Sequence, residues 1–290
     1  MKFGVNLPNF GPQMTPEGML TWTREAERVG FDAVLVSDHV ALTADAHRRS
    51  PAPFFESLST LAWLAGQTST VRLGIGVLIG SHRHPIDLAH ATATIDQLSN
   101  GRLIVGVGVG WAAQAFDVLG VPYHRRGRLT DQTLDTLVAA WTNSVLEYPG
   151  TQGNHHVHTE PRPVQTPHPP LWIGGNGPPA LARVNRIGTT WHPLHPTRAL
   201  CAHGVERLKE GKTFAPRIFF LPTASPIAAE DRRPLGYGSI EQIRGDIEFL
   251  RELGADTVVL DTDPGDQQLR RPWAEDVALV RLAAEILELR

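Results

Sequence analysis

Five short runs in this 290-residue sequence carry groups that could do chemistry. Gly174-Gly175-Asn176-Gly177-Pro178-Pro179 joins an apolar segment to a helical one. Glycines without β-carbons let backbone N–H groups face an anion, and a helix opening near Pro179 aims its positive end there. A tight turn needing positive φ would use the same glycines, so the spacing fits both a phosphate site and a bare turn. Ser37-Asp38-His39 follows four apolar residues directly. An imidazole has the side-chain pKa nearest neutrality, which suits proton transfer at pH 7, while Asp38 could instead bond the backbone of the next turn. Gly108-Val109-Gly110-Trp111-Ala112-Ala113 matches the dinucleotide pattern G-x-G-x-x-A. No strand with an acidic end follows about 20 residues later. The glycines read better as a strand crossed closely by a flat ring, or as a crowded interior. His82-Arg83-His84 and His155-His156-Val157-His158 have the density of metal ligands, yet only Glu160 adds a nearby carboxylate. Polar loops account for both, and no metal is expected.

The hydrophobic period shows what positions these groups. Apolar runs at 3–7, 33–36, 71–79, 103–107, 171–173, 190–192, 217–221 and 257–260 read as strands. Helical segments lie between them, at 15–30, 58–65, 85–98, 112–119 with 128–141, 179–187, 240–253 and 273–287. The first has a full start signal, with Thr15 as cap, Pro16 in the first turn and Glu17 on the dipole. Continuous apolar strands alternating with helices imply a parallel sheet covered by helices. Eight units without a break in composition favour one α/β domain over 1–290, a closed (β/α)8 TIM barrel, over an open doubly wound sheet. Barrel chemistry collects at the C-terminal strand ends. Those ends supply Asn6 and Asn9, Asp38 and His39, the run from Gly80 to His84, Gly108 to Trp111, Gly174 to Gly177, His192, His195, Asp261 and Asp263. Two segments break the rhythm. Residues 144–170, rich in Pro, His, Gly and Thr, read as an irregular insertion rooted on the opposite face. Residues 38–55 follow the second strand on the active face and suit the lining of a site.

Composition narrows the class. Hydrophobic residues make up 41% and charged residues 20%, which supports a packed core and excludes global disorder. A net charge of -3 gives no footprint for nucleic acid or an anionic membrane. No stretch approaches the roughly 18 apolar residues of a membrane helix. The lone Cys201 rules out an internal disulfide framework, and the N-terminus lacks a signal-like apolar run, so a cytoplasmic location is expected.

With these residues in hand, the chain resembles the bacterial luciferase-like monooxygenase superfamily, and within it the branch of coenzyme F-420-dependent oxidoreductases. The likeness rests on Phe3-Gly4-Val5-Asn6-Leu7-Pro8, Ser37-Asp38-His39, Val71-Arg72-Leu73-Gly74-Ile75-Gly76-Val77, His84-Pro85 and Asp96-Gln97-Leu98-Ser99-Asn100-Gly101-Arg102. Gly106 to Trp111, Arg126-Gly127-Arg128, Pro169 to Asn176 and Leu253-Gly254-Ala255-Asp256 continue it in order. The resemblance implies a TIM barrel with a flavin or deazaflavin ring in its mouth. Its phosphate would lie on Gly175, Asn176 and Gly177, with Gly174 permitting the approach. A cis peptide at Gly76-Val77 would form a bulge behind the ring. His39 would stand at the reactive edge, to supply or orient a proton. Asn6, Asp38, Gly108 and His192 complete the expected coenzyme contacts, and Trp111 and Arg83 the expected substrate contacts.

The chain also departs from the pattern. Sugar-phosphate-oxidising members carry a glutamate where Trp111 stands, and others an acidic residue where Ala115 stands. Trp111 instead suits an apolar or aromatic substrate. The expectation is therefore hydride transfer between F-420 and a small organic substrate. The alternatives are an FMN-dependent two-component monooxygenase fed by a separate reductase, a non-catalytic coenzyme- or ligand-binding protein, and a barrel metallohydrolase. A homodimer is expected too, with Leu58, Leu61, Ala62 and Ala65 as an apolar stripe that would otherwise face the barrel.

Overall fold

The apolar runs form parallel strands because each is buried on both faces, between a barrel interior and a ring of helices. In the computed structural model, which describes residues 1–228, 232–266 and 270–289, the strands are β1 (Lys2–Leu7), β2 (Ala33–Val36), β3 (Arg72–Ile79), β4 (Leu103–Gly108), β5 (Leu171–Gly174), β6 (Thr190–His192), β7 (Arg217–Phe219) and β8 (Thr257–Asp261). Their order is β7-β8-β1-β2-β3-β4-β5-β6, with the two-residue strand Thr213–Phe214 beside β6. A parallel bridge between Leu194 and Arg217 joins the two ends of this sheet. Arg217 N–H donates to Pro193 O at 2.9 Å and His195 N–H to Arg217 O at 2.7 Å. The sheet is a closed barrel, as its eight-fold alternation predicts.

Two apolar layers hold it. Ala33, Leu35, Ile104, Trp172, Ala215 and Val259 form one buried cluster from strands and their ends, filling the barrel interior. A larger cluster lies between strands and helices. The helix Pro16–Arg28 starts as its sequence demands, with Thr15 Oγ1 accepting from Gly18 N–H at 3.0 Å. The helix Ile240–Glu252 opens on a capping box between Ser239 and Gln242. In Ser57–Ala65, Leu61 and Ala65 are buried and Leu58 and Ala62 pack partly against the core. That stripe packs on the core of its own chain.

The run from Asp96 to Arg102 is structural. Asp96 accepts from Val164 N–H, Gln165 N–H and the Gln165 amide, while Arg102 donates to the carbonyls of Ala65, Thr68, Val71 and Ser99. Residues 144–170 are less irregular than expected. Val145–Gly150 and Gly153–His158 pair as an antiparallel hairpin, closed by Thr151-Gln152 with Gly153 at φ 117°. Pro149 and three histidines obscured the strand signal, and proline is tolerated because both strands are edges. The helix Arg198–Val205 and the strand Thr213–Phe214 were also unanticipated. β7 is shorter than the apolar run 217–221, because Leu221–Pro222 leaves the barrel to pair with Tyr237–Gly238.

Candidate active site

The mouth of the barrel is shaped by a break in β3. Its register against β4 shifts between Ile75 and Leu78, and the Gly76-Val77 peptide is cis, as the resemblance implies. Val77 stands over two glycines. A Cβ on Gly108 would lie 2.6 Å from Val77 Cγ2, and one on Gly174 only 2.8 Å from Val77 Cγ1. Gly106 and Gly108 of β4 thus leave room for Val77 and the bulged backbone, the crowded interior that the sequence allows. Two charged groups brace the bulge. Arg217 Nη1 donates to Gly76 O at 2.7 Å, and Ile79 N–H donates to Asp38 Oδ2 at 3.0 Å.

Above the bulge lies a cavity of about 620 Å³. It gathers Asp38, His39, Gly76, Val77, Gly108, Trp111, Gly174, Gly175 and His192 from the residues expected at the site. Asn6, Arg83, Asn176 and Gly177 do not line it. Asn6 is buried deeper, its amide 3.5 Å from Asp261 Oδ1. Arg83 is no substrate contact in this geometry. Its guanidinium holds Asp38 through two bonds of 2.9 and 2.8 Å and Glu56 at 2.6 Å. Burial would raise the Asp38 pKa, but Arg83, the Ile79 N–H and the Ser57 hydroxyl together hold it below the usual carboxylate value. Asp38 therefore acts as a buried brace between the second and third strand ends.

His39 sits edge-on to Phe54 and Trp111, at centroid distances of 5.3 and 6.0 Å. Burial lowers its pKa against the opposing charges of Asp38 and Asp45, so it is neutral at pH 7. Its Nδ1 is buried without a partner. His192 is deeper still. Its Nδ1 is 2.6 Å from Ala215 O, and since a carbonyl only accepts, that nitrogen carries the proton. Burial first, and then the nearby Arg217, bring its pKa down to about 4. The other nitrogen, Nε2, is a buried lone pair without a partner, close against Gly76 at the bulge.

The turn after β5 differs from a simple phosphate cradle. The helix that follows is Pro178–Arg186, with Gly177 as its cap and prolines at its first two positions. Proline has no N–H, and Ala180 N–H is already bonded to Gly177 O at 3.0 Å. The Asn176 side chain is also occupied, donating to Leu194 O at 2.8 Å and accepting from Leu194 N–H at 2.9 Å. An anion here would meet the backbone N–H groups of Gly175, Asn176 and Gly177, without a charged side chain from the turn itself.

One cluster escaped selection in the sequence. Asp261, at the end of β8, accepts from Arg217 Nε at 2.8 Å and lies 2.9 Å from His195 Nε2. All three line the cavity. His195 and Asp261 were legible as strand-end residues, but Arg217 opens β7 instead of ending it and enters the site only because the guanidinium reaches along the barrel. At the rim, the Arg49 guanidinium lies 4.6 Å over the Trp111 ring. Among the described residues, no group of three or more His, Cys, Asp or Glu is arranged to hold a metal ion. No helix among them is long and apolar enough to cross a membrane.

Fold and site together define a (β/α)8 barrel with a ligand cavity at its C-terminal mouth, backed by a bulged third strand. The luciferase-like monooxygenase family profile matches residues 1–257, and the chain belongs to that family. It is 30% identical over 186 residues to the F-420-dependent glucose-6-phosphate dehydrogenase of Amycolatopsis mediterranei, covering 61% of this chain and 53% of that protein. It is 29% identical over 182 residues to the oxygenase component of the flavin-dependent trigonelline monooxygenase of Acinetobacter baylyi, covering 61% and 48%. The matched region spans between about half and two-thirds of the length of such relatives. A monooxygenase structure from Streptomyces bottropensis superposes with a TM-score of 0.78 at 21% identity, covering 99% of this chain and 98% of that one. These relatives include users of F-420 and of flavin.

Proposed function

We propose that this protein is an F-420-dependent oxidoreductase acting on a small, largely apolar, conjugated substrate. The donor set of the turn after β5 carries this reading. Three neutral N–H groups, with the next two positions occupied by proline, suit the singly charged phosphodiester of F-420. The terminal phosphate of FMN carries about −1.5 to −2 charges at pH 7 and calls for more donors or a cation. At the rim, Arg49 offers a cation to the carboxylates of the F-420 tail. When bound, the reduced deazaflavin supplies two electrons and a hydrogen to the substrate carbon.

The chain's own groups do the rest. Val77 gives the ring a wall, and Asp38 and Arg217 keep that wall in place from either side. His192 Nε2 presents a lone pair beside the bulge, an acceptor for an N–H of the coenzyme ring. Neutral His39 orients the reacting edge, and Trp111 and Phe10 exclude water from the mouth. The missing carboxylates at Trp111 and Ala115 argue against sugar phosphates as substrates.

The FMN-dependent monooxygenase is the second reading, supported by the Acinetobacter relative and needing a separate reductase as partner. Anaerobic mixing of reduced F-420 with a panel of conjugated ketones, beside oxygen uptake with reduced FMN, tests the two. Coenzyme oxidation by any ketone supports the first reading. Substrate-dependent oxygen uptake with FMN alone overturns it.

A further inference from the structure

We propose that His195, held by Asp261, is the proton-carrying residue of the site and that it meets a developing negative charge on a carbonyl oxygen of the substrate. This deepens the functional reading above and rests on it. Three histidines line the cavity, and their partners differ. The His39 Nδ1 has no partner, and the neighbouring Asp38 is bound to Arg83. His192 has its proton fixed on a backbone carbonyl. Only His195 has a carboxylate on its ring, with Nε2 at 2.9 Å from Asp261 Oδ2.

A carboxylate that only accepts places the ring proton on Nε2, and it stabilises the imidazolium when the other nitrogen is protonated. With Nε2 taken, Nδ1 is the nitrogen left for the cavity. Asp261 on β8 faces this ring, with Arg217 on β7 and His192 on β6 nearby. Asp263, just beyond β8, lines the same cavity with its carboxylate held by Arg270. Arg217 shares the same Asp261 oxygen and keeps that carboxylate ionised.

The backbone independently marks the position. His195 has φ 45°, a left-handed conformation uncommon outside glycine, and its N–H is pinned to Arg217 O at 2.7 Å. Its ring lies flat on Phe219, with centroids 3.6 Å apart. A left-handed backbone, a nitrogen bonded to a carboxylate and a stacked ring fix one side chain at the cavity wall.

The step balances simply. Reduction of a conjugated ketone adds two electrons and one hydrogen at the β-carbon, supplied by the reduced coenzyme, as the C=C π bond opens. Solvent at the mouth first protonates His195 Nδ1, forming the imidazolium that Asp261 stabilises. The charge that develops on the carbonyl oxygen takes that proton, which returns the ring to neutral. The enol so formed tautomerises to the saturated ketone in solvent.

Two measurements test the proposal. The first needs no coenzyme: nitrogen NMR of the histidines in the apoprotein, with His195 assigned by its loss in His195→Gln. The result expected is a proton that stays on Nε2, with Nδ1 the nitrogen that gains and loses the second proton. A proton on Nδ1 alone overturns the proposal. The second follows reduced F-420 with 2-cyclohexenone. His195→Gln is expected to lower kcat at least about tenfold and flatten its decline at high pH, leaving F-420 affinity unchanged. An unchanged rate or an unchanged pH profile in that variant overturns the proposal. Asp261→Asn is expected to move the same decline to lower pH, because the imidazolium loses its carboxylate. Failure of the wild-type protein to reduce cyclohexenone counts against the functional reading instead, and the NMR result then decides the proton position.

Discussion

Adding one methyl group to Gly108 tests how the barrel holds its mouth open. The new Cβ would lie 2.6 Å from Val77 Cγ2, about 1 Å inside the roughly 3.5–4.0 Å of ordinary carbon contact. Val77 must then move into the cavity it lines. Overpacking of this kind costs about 1–3 kcal/mol. Gly108→Ala should lose that much unfolding free energy in urea, and F-420 should bind at least about tenfold more weakly, equivalent to about 1.4 kcal/mol. Val77→Ala removes the obstructing methyls, so the double-mutant cycle should give a favourable coupling of about 1–3 kcal/mol. Gly106 is the control on the same strand. Its Cβ would lie 2.1 Å from Ile75 O, a backbone atom, so Val77→Ala should leave most of the Gly106→Ala penalty unrelieved. Equal rescue at both positions, or a Gly108→Ala protein of normal stability and affinity, would refute the role given to Val77.

Other perturbations have defined outcomes. His39→Ala should lower turnover at least about tenfold while coenzyme affinity, measured by fluorescence titration, stays within a few-fold. Asp246 is a fully buried carboxylate holding Arg233 at 2.7 Å and Arg198 at 3.0 Å. Asp246→Ala should cost about 3–5 kcal/mol in chemical denaturation, because a buried guanidinium loses its counter-charge. Burial, with Asp263, Asp261 and Glu275 nearby, pushes the Asp276 carboxyl up to about 7 from the ordinary 3.8 despite Arg271. The folded state then binds a proton that the unfolded state has released, so this contribution to stability is complete below pH 3.8 and lost as pH rises through about 7. Asp276→Asn should therefore raise the melting temperature at pH 8 and leave it little changed at pH 3.5, and the reverse ordering by calorimetry would contradict the assignment.

The barrel was legible because its strands are short, continuous apolar runs, a pattern that only burial on both faces demands. The glycines of β4 and the turn after β5 were legible as close approaches. What approaches them was not, since Val77 reaches Gly108 and Gly174 only through the bulge, a tertiary event. Asp38 and His39 were found at the right strand end, but the long-range partner Arg83 decides that Asp38 braces the fold. Arg217 illustrates the limit most clearly. It lies 141 residues from Gly76, and neither periodicity nor spacing links the two. The hairpin 145–158 was hidden because proline and histidine dilute a strand signal that its turn still carried.

The most direct test of the coenzyme assignment is equilibrium binding of oxidised F-420 beside FMN to the purified protein, by calorimetry under identical salt. The account predicts F-420 binding at least about tenfold tighter than FMN, because the turn after β5 offers neutral donors and two prolines to the phosphate. FMN binding as tight as F-420 would contradict it.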